Sequence, residues 1–162
     1  MSALPQPGAT HTLHPGDVAC ADRGERLETL LGSCVAIVLT DPRRTVGVMC
    51  HVVHSRPSNS PPPPERRPEA ADGEAALRAM YARLRARAIV PALCQAWLYG
   101  GGNMFPALVT ERHVGDDNAA WALAALARDG VRVLGQDLGG PHYRRLAWTV
   151  GPWAPEVTVV AV

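Results

Sequence analysis

The stretch GSCVAIVLTDPRRTVGVMCHVV, Gly32 to Val53, constrains this chain more than any other. Two apolar runs rich in β-branched residues flank Asp41-Pro42-Arg43-Arg44, a turn signal. Such a pair reads as two adjacent strands joined by a short loop. With 47% apolar and 19% charged residues in a chain of 162, a globular fold with one core is expected.

The rest of the chain arranges itself around that pair. Residues 1–16 are polar and contain Pro and Gly, and read as a flexible arm ahead of a single domain spanning 17–162. Upstream of the pair, the stretch from His14 onward reads as short strands. Downstream, residues 55–73 hold four consecutive prolines and read as an extended, solvated loop. A helix is predicted from Glu74 to Arg87, with Asp72 as its N-cap and Ala76, Leu77, Met80, Tyr81 and Leu84 on one face. Leu93–Tyr99 reads as a strand running into Gly100-Gly101-Gly102-Asn103. A second helix is predicted from Asn118 to Arg128, capped by Asp116 or Asp117 and stopped near Gly130. VRVLGQD, LAWTV and EVTVV read as the last strands. Strands, helix, strand, helix, strands predict an α/β (α+β) sandwich with mixed or antiparallel sheets and two main helices.

Composition excludes several function classes. The formal charge is +1, which offers no electrostatic footprint for nucleic acid or an anionic membrane. All 16 basic residues are arginine, so lysine-based chemistry is excluded. No apolar run reaches the ~20 residues of a membrane span, and the opening MSALPQPGAT has neither the basic nor the apolar region expected of a secretory signal. The four cysteines, Cys20, Cys34, Cys50 and Cys94, show no CxxC spacing. A cytoplasmic monomer with free thiols is the expectation.

The strand pair also makes a chemical proposition. If Cys34–Thr40 and Thr45–His51 pair around a four-residue loop, facing residues sum to 85 and Cys34 opposes His51. Facing residues share a side of the sheet, about 4.5–5.5 Å apart at Cβ. Cys50 then falls on the other side with Val35, Ile37, Val46 and Val48. A thiol beside an imidazole is a nucleophile beside its base. Gly32 and Ser33 would offer close approach and N–H groups for an oxyanion. Gly101, Gly102 and Asn103 read as a backbone wall lining the cleft and as further substrate or oxyanion contacts. Thr29, on the incoming strand, is the candidate third residue. Against this stands the tendency of free cysteine to be a buried core residue. A metal site built from Cys34, Cys50, His51 and His54 is the weaker alternative, because residues 50 and 51 point to opposite faces. In DLGGPHYRR, Asp137 to Arg145, the default is a turn, with His142 and the arginine pair as further lining candidates.

TLLGSCVAIVLTDP, VGVMCHVV, LYGGGNMF, VGDDN and DLGGPHYRR, in this order, resemble the CheD family of chemoreceptor glutamine deamidases. The connection Ala88-Ile89-Val90-Pro91 departs from that pattern, lacking a glycine turn often found there. The resemblance implies a fold shared with deamidating toxins and no metal or organic cofactor. It implies Cys34 as nucleophile, His51 as base and a threonine, carried over to Thr29, as third member. The implied reaction converts glutamine side chains to glutamate on the cytoplasmic helices of chemoreceptors. The implied partner, besides the receptor, is a CheC-type phosphatase. A weakly catalytic binding partner of that phosphatase, or another cysteine hydrolase or transglutaminase, are the alternative readings.

Overall fold

The structure, a computed structural model, describes residues 8–55, 72–108 and 113–160. Strands β1 (Thr10–Leu13), β3 (Arg26–Leu31), β8 (Tyr143–Thr149) and β9 (Glu156–Val160) form a four-stranded sheet in the order β1-β3-β8-β9. Strands β2 (Val18–Asp22), β5 (Val46–Val52), β4 (Val35–Thr40), β6 (Gln95–Gly100) and β7 (Arg132–Leu138) form a five-stranded sheet in the order β2-β5-β4-β6-β7. Within these sheets β1 with β3 and β6 with β7 run parallel, and the other pairs antiparallel. Helices α1 (Gly73–Ala86) and α2 (Val114–Arg128) complete a mixed α+β sandwich, as expected.

Every residue of β4 and β5 is buried, because the five-stranded sheet is covered on both faces. Val35, Ile37, Leu39, Val48 and Cys50 pack against Leu77, Met80 and Leu84 of α1 and Leu126 of α2. Ala36, Val38, Met49, Trp97 and Tyr99 pack against Leu27, Leu31, Leu146 and Trp148 of the four-stranded sheet. Central strands covered twice need apolar side chains at every position, hence the unbroken apolar runs. Each fully buried leucine or isoleucine contributes about 1.5–3 kcal/mol. Gly47 makes room in the inter-sheet layer: a Cβ there would lie 2.5 Å from the Trp148 ring.

The β4–β5 register differs from expectation. Thr40 faces Gly47 and Ala36 faces His51, so facing residues sum to 87 rather than 85. The cause is Asp41, whose carboxylate accepts from Thr45 N–H (2.8 Å), Val46 N–H (3.0 Å) and Thr45 Oγ1 (2.7 Å). These bonds hold residues 41–45 as one wide loop, with Arg44 left-handed at φ 58°. A slip of two residues leaves every side chain on its expected face.

Other boundaries also move; the strand expected from Leu93 begins at Gln95, after a 3-10 turn over Pro91–Leu93. Residues 10–13, read as part of a flexible arm over 1–16, form β1 and pair in parallel with β3. A backbone partner supplied by a distant strand leaves no mark in a polar sequence. α2 begins at Val114 rather than Asn118. Its N-cap is His113, which accepts from Gly115 N–H (3.0 Å), so Asp116 and Asp117 lie in the first turn, where the helix dipole favours acids. β8 takes in Tyr143–Arg145, part of the expected turn. Asp72 does cap α1, accepting from Ala75 N–H at 3.0 Å. Of the proline-rich loop over 55–73, residues 56–71 lie outside the described residues.

Candidate active site

His51 sits on β5 with its side chain in the inter-sheet layer, 3% exposed. The HPGD turn, His14 to Asp17, holds its backbone through two hydrogen bonds. Gly16 N–H donates to the His51 carbonyl (2.9 Å), and His51 N–H donates to the Asp17 carbonyl (3.0 Å). Across the layer, Thr29 Oγ1 lies 2.8 Å from His51 Nδ1. The same hydroxyl donates its one proton to the Leu13 carbonyl, also at 2.8 Å. A carbonyl only accepts, so the Thr29 hydroxyl must accept from Nδ1–H. The neutral ring then carries its proton on Nδ1 and leaves Nε2 as a free acceptor. Burial lowers the His51 pKa to about 4, with Asp17 pulling upward and His14 downward, so the imidazole is neutral at ordinary pH.

Cys34 lies just before β4 and packs against the inter-sheet core with Ala36, the residue that faces His51. Cys34 and His51 are thus diagonal neighbours on one face, with Cα atoms about 7 Å apart by strand geometry. Among the described residues no hydrogen bond joins Cys34 Sγ to His51. Burial raises the Cys34 pKa, and the residue's own N–H, leaning on the sulfur, partly opposes it. A neutral thiol and a neutral imidazole therefore stand together. Cys50 faces the helices, is fully buried, and is pushed up to about 12. Cys50 and His51 point into different layers, which sets aside their joint ligation of one ion.

The glycine stretches do different work from that expected. Gly101 N–H donates to the Cys34 carbonyl (2.9 Å), Gly102 N–H to the Gly32 carbonyl (3.0 Å) and Asn103 N–H to the Gly140 carbonyl (2.9 Å). These three donors are committed to the loop and are not open to an oxyanion. The reason is conformational: Gly100 and Gly101 have φ of 110° and 64°, and a Cβ on Gly100 would lie 2.1 Å from the Cys34 carbonyl. Gly32 is covered as well, since a Cβ there would lie 3.0 Å from the Tyr143 ring. What remains are the Ser33 and Cys34 N–H groups, which meet no acceptor among the described residues other than the Cys34 sulfur.

Sequence reasoning missed the Leu13 carbonyl and the HPGD turn, since backbone acceptors carry no residue signature. It also undervalued Arg144. That side chain is 1% exposed and donates to the Gly100 carbonyl (3.3 Å), to Asp137 Oδ1 (3.1 Å) and to the Gly139 carbonyl. It ties the glycine turns after β6 and β7 together. Arg145 points to the exposed side of β8, and His142 lies against Gly140.

Comparison with known proteins matches residues 57–158 to the family model described as CheD chemotactic sensory transduction. The chain belongs to the CheD family. The matched segment begins after His51, but similarity to curated members extends through the site. A protein of Albidiferax ferrireducens named probable chemoreceptor glutamine deamidase CheD 2 is 35% identical over 140 residues, covering 85% of this chain and 80% of its own. Proteins of Pseudomonas savastanoi pv. phaseolicola and Pseudomonas syringae pv. syringae, each named probable chemoreceptor glutamine deamidase CheD, are 36% and 37% identical. They cover 93% and 87% of this chain and 86% and 81% of their own. A solved Neisseria meningitidis structure of the family model DUF152 shares the fold at a TM-score of 0.53 and 14% identity, covering 90% of this chain and 76% of its own. Among the described residues no helix is long and apolar enough to cross a membrane.

Proposed function

We propose that this chain hydrolyses glutamine side chains on the cytoplasmic helices of chemoreceptors, with Cys34 as nucleophile, His51 as base and Thr29 as the residue that sets the histidine tautomer. The observation that carries the reading is the Leu13–Thr29–His51 chain of hydrogen bonds, which leaves Nε2 unprotonated on the face where Cys34 stands. The names of the family relatives supply the substrate class.

In the first half-reaction His51 Nε2 takes the Cys34 proton as sulfur attacks the carboxamide carbon. The carbonyl oxygen becomes an oxyanion facing the Ser33 and Cys34 N–H groups. The imidazolium returns the proton to the departing nitrogen, ammonia leaves, and a γ-glutamyl thioester remains. Water then attacks the thioester, giving one proton to His51. Collapse expels the thiolate, which His51 reprotonates, and glutamate is released. Because the resting pair is neutral, the proton moves during attack rather than before it.

The test is incubation of the purified chain with receptor cytoplasmic fragments, read by peptide mass spectrometry for glutamine-to-glutamate conversion. Conversion that disappears with Cys34→Ala is the expected result. Conversion unchanged by that substitution would remove the nucleophile assignment. Cleavage of the peptide backbone would favour a protease. Inactivity with retained binding to a CheC-type phosphatase would favour a binding module.

A further inference from the structure

The apolar stripe of α2 runs through Gly115, Asn118, Ala122, Ala125 and Leu126, all buried. Asn118 is the one carboxamide in that stripe and is 0% exposed. Its Nδ2 donates to the Ser33 carbonyl (3.2 Å) and the Val53 carbonyl (3.1 Å). Both partners can only accept, so the donor end of the amide must face them. The β4–β5 ladder ends at Val35 facing Val52, so Ser33 and Val53 lie just beyond its last pair. One side chain thus joins the residue before Cys34 to the strand end that follows His51. Asn118 Oδ1, also buried, has no partner among the described residues. An apolar residue would fill this stripe without stranding an acceptor.

Building on the hydrolase reading above, we infer that Asn118 is a positioning residue that orients the Ser33–Cys34 peptide so that its N–H becomes the oxyanion donor. The peptide unit is planar and trans, so its C=O and N–H point in opposite directions. Fixing the Ser33 carbonyl on α2 turns the Cys34 N–H away from α2, toward its own sulfur. α2 is itself a fixed support, because its first turn rests on the glycine loop: a Cβ on Gly115 would lie 2.6 Å from the Gly102 carbonyl and 2.8 Å from the Gly101 carbonyl.

The test compares two reagents at Cys34, resolved from the other cysteines by peptide mapping. p-Nitrophenyl acetate requires attack at a carbonyl and forms an oxyanion. Iodoacetamide is attacked at a saturated carbon and forms none. In Asn118→Leu the acylation rate is expected to fall on the order of 100-fold, while alkylation stays within about threefold of the parent. Deamidation kcat falls with acylation while KM holds. Asn118→Ser is the second variant and is read the same way if the leucine does not fold. Ala122→Gly, one turn along the same stripe, lowers Tm and leaves the acylation-to-alkylation ratio alone. A ratio unchanged in a folded Asn118 variant would overturn the inference, as would equal losses of both rates tracking Tm. If the parent shows the acylation preference and Asn118→Leu loses it, yet no receptor glutamine is converted, the deamidase reading fails and the Asn118 inference stands.

Discussion

Cys50 and His51 are adjacent on one strand and live in different chemical worlds. Cys50 faces the helices in an apolar cluster with Ile37, Leu77 and Met80, and burial pushes its thiol up to about 12. His51 faces the other sheet, where Thr29 and the Leu13 carbonyl give its ring a defined partner. Both faces are equally buried. What separates them is that His51 meets polar groups in a connected chain, while the described residues clustered around Cys50 are apolar. Burial alone makes a thiol inert, and burial beside a neutral base makes one usable.

The two cysteines offer the sharpest way to break that comparison. Cys34→Ala is expected to lower glutamine conversion on the order of 10⁴-fold or more, as removal of a nucleophile does. Cys50→Ala is expected to leave kcat within about twofold of the parent and cost about 1 kcal/mol of stability. Steady-state rates and urea melts of both variants check this. A Cys50→Ala variant that lost activity while folded would mean the faces are wrongly assigned.

Thr29→Val comes next. It keeps the shape and removes the hydroxyl, leaving the Leu13 carbonyl and the His51 Nδ1–H without each other's link. The ring can then turn or change tautomer, and kcat is expected to drop about 100-fold, near the low end of what a lost base costs. KM should hardly change. An unaffected kcat would show that the HPGD turn alone orients His51.

A smaller effect lies in pH. His51 is neutral above its lowered pKa of about 4. Between pH 7 and 5.5, kcat/KM should vary by less than about twofold, whereas an unperturbed histidine at about 6.5 would lose about eightfold. The sign for stability follows from proton uptake. The unfolded chain protonates this histidine near 6.5 and the folded chain near 4, so its contribution to stability is complete above about 6.5. It is lost as pH falls through that window. A profile of initial rates alongside melts at each pH separates the two effects.

The faces of β4 and β5 were legible because side-chain parity survives an error of two residues in loop length. Thus Cys34 with His51 and Cys50 with Ile37 could be read from spacing, although the loop itself could not. That loop is widened by the Asp41 carboxylate accepting two backbone N–H groups, a local hydrogen-bonding choice that apolar patterning does not encode. The site's backbone was less legible still. Gly101 and Gly102 looked like donors for substrate, yet their N–H groups answer carbonyls at Cys34 and Gly32, some seventy residues away in sequence. The motif VGDDN located α2 but not its first residue, because a histidine rather than an aspartate accepts the free N–H at its start.

The helix side of the five-stranded sheet carries one backbone feature whose removal should move stability and nothing else. α1 ends with Ala88 N–H donating to the Arg85 carbonyl (2.9 Å) and Ile89 N–H to the Leu84 carbonyl (3.0 Å), a pair of bonds that closes a helix through a left-handed residue. That residue is Ala88, at φ 59°, in a position glycine usually takes and where the sequence lacks one. Its Cβ costs about 1–2 kcal/mol in this conformation, while glycine would add back less than that in unfolded-chain entropy. Ala88→Gly is therefore expected to stabilise the chain by about 0.5–1 kcal/mol, seen as a higher urea midpoint at unchanged slope, with kcat and KM as in the parent. A change in kcat would mean that the α1 terminus reaches the inter-sheet layer through the sheet, and the separation of the two faces would then be incomplete.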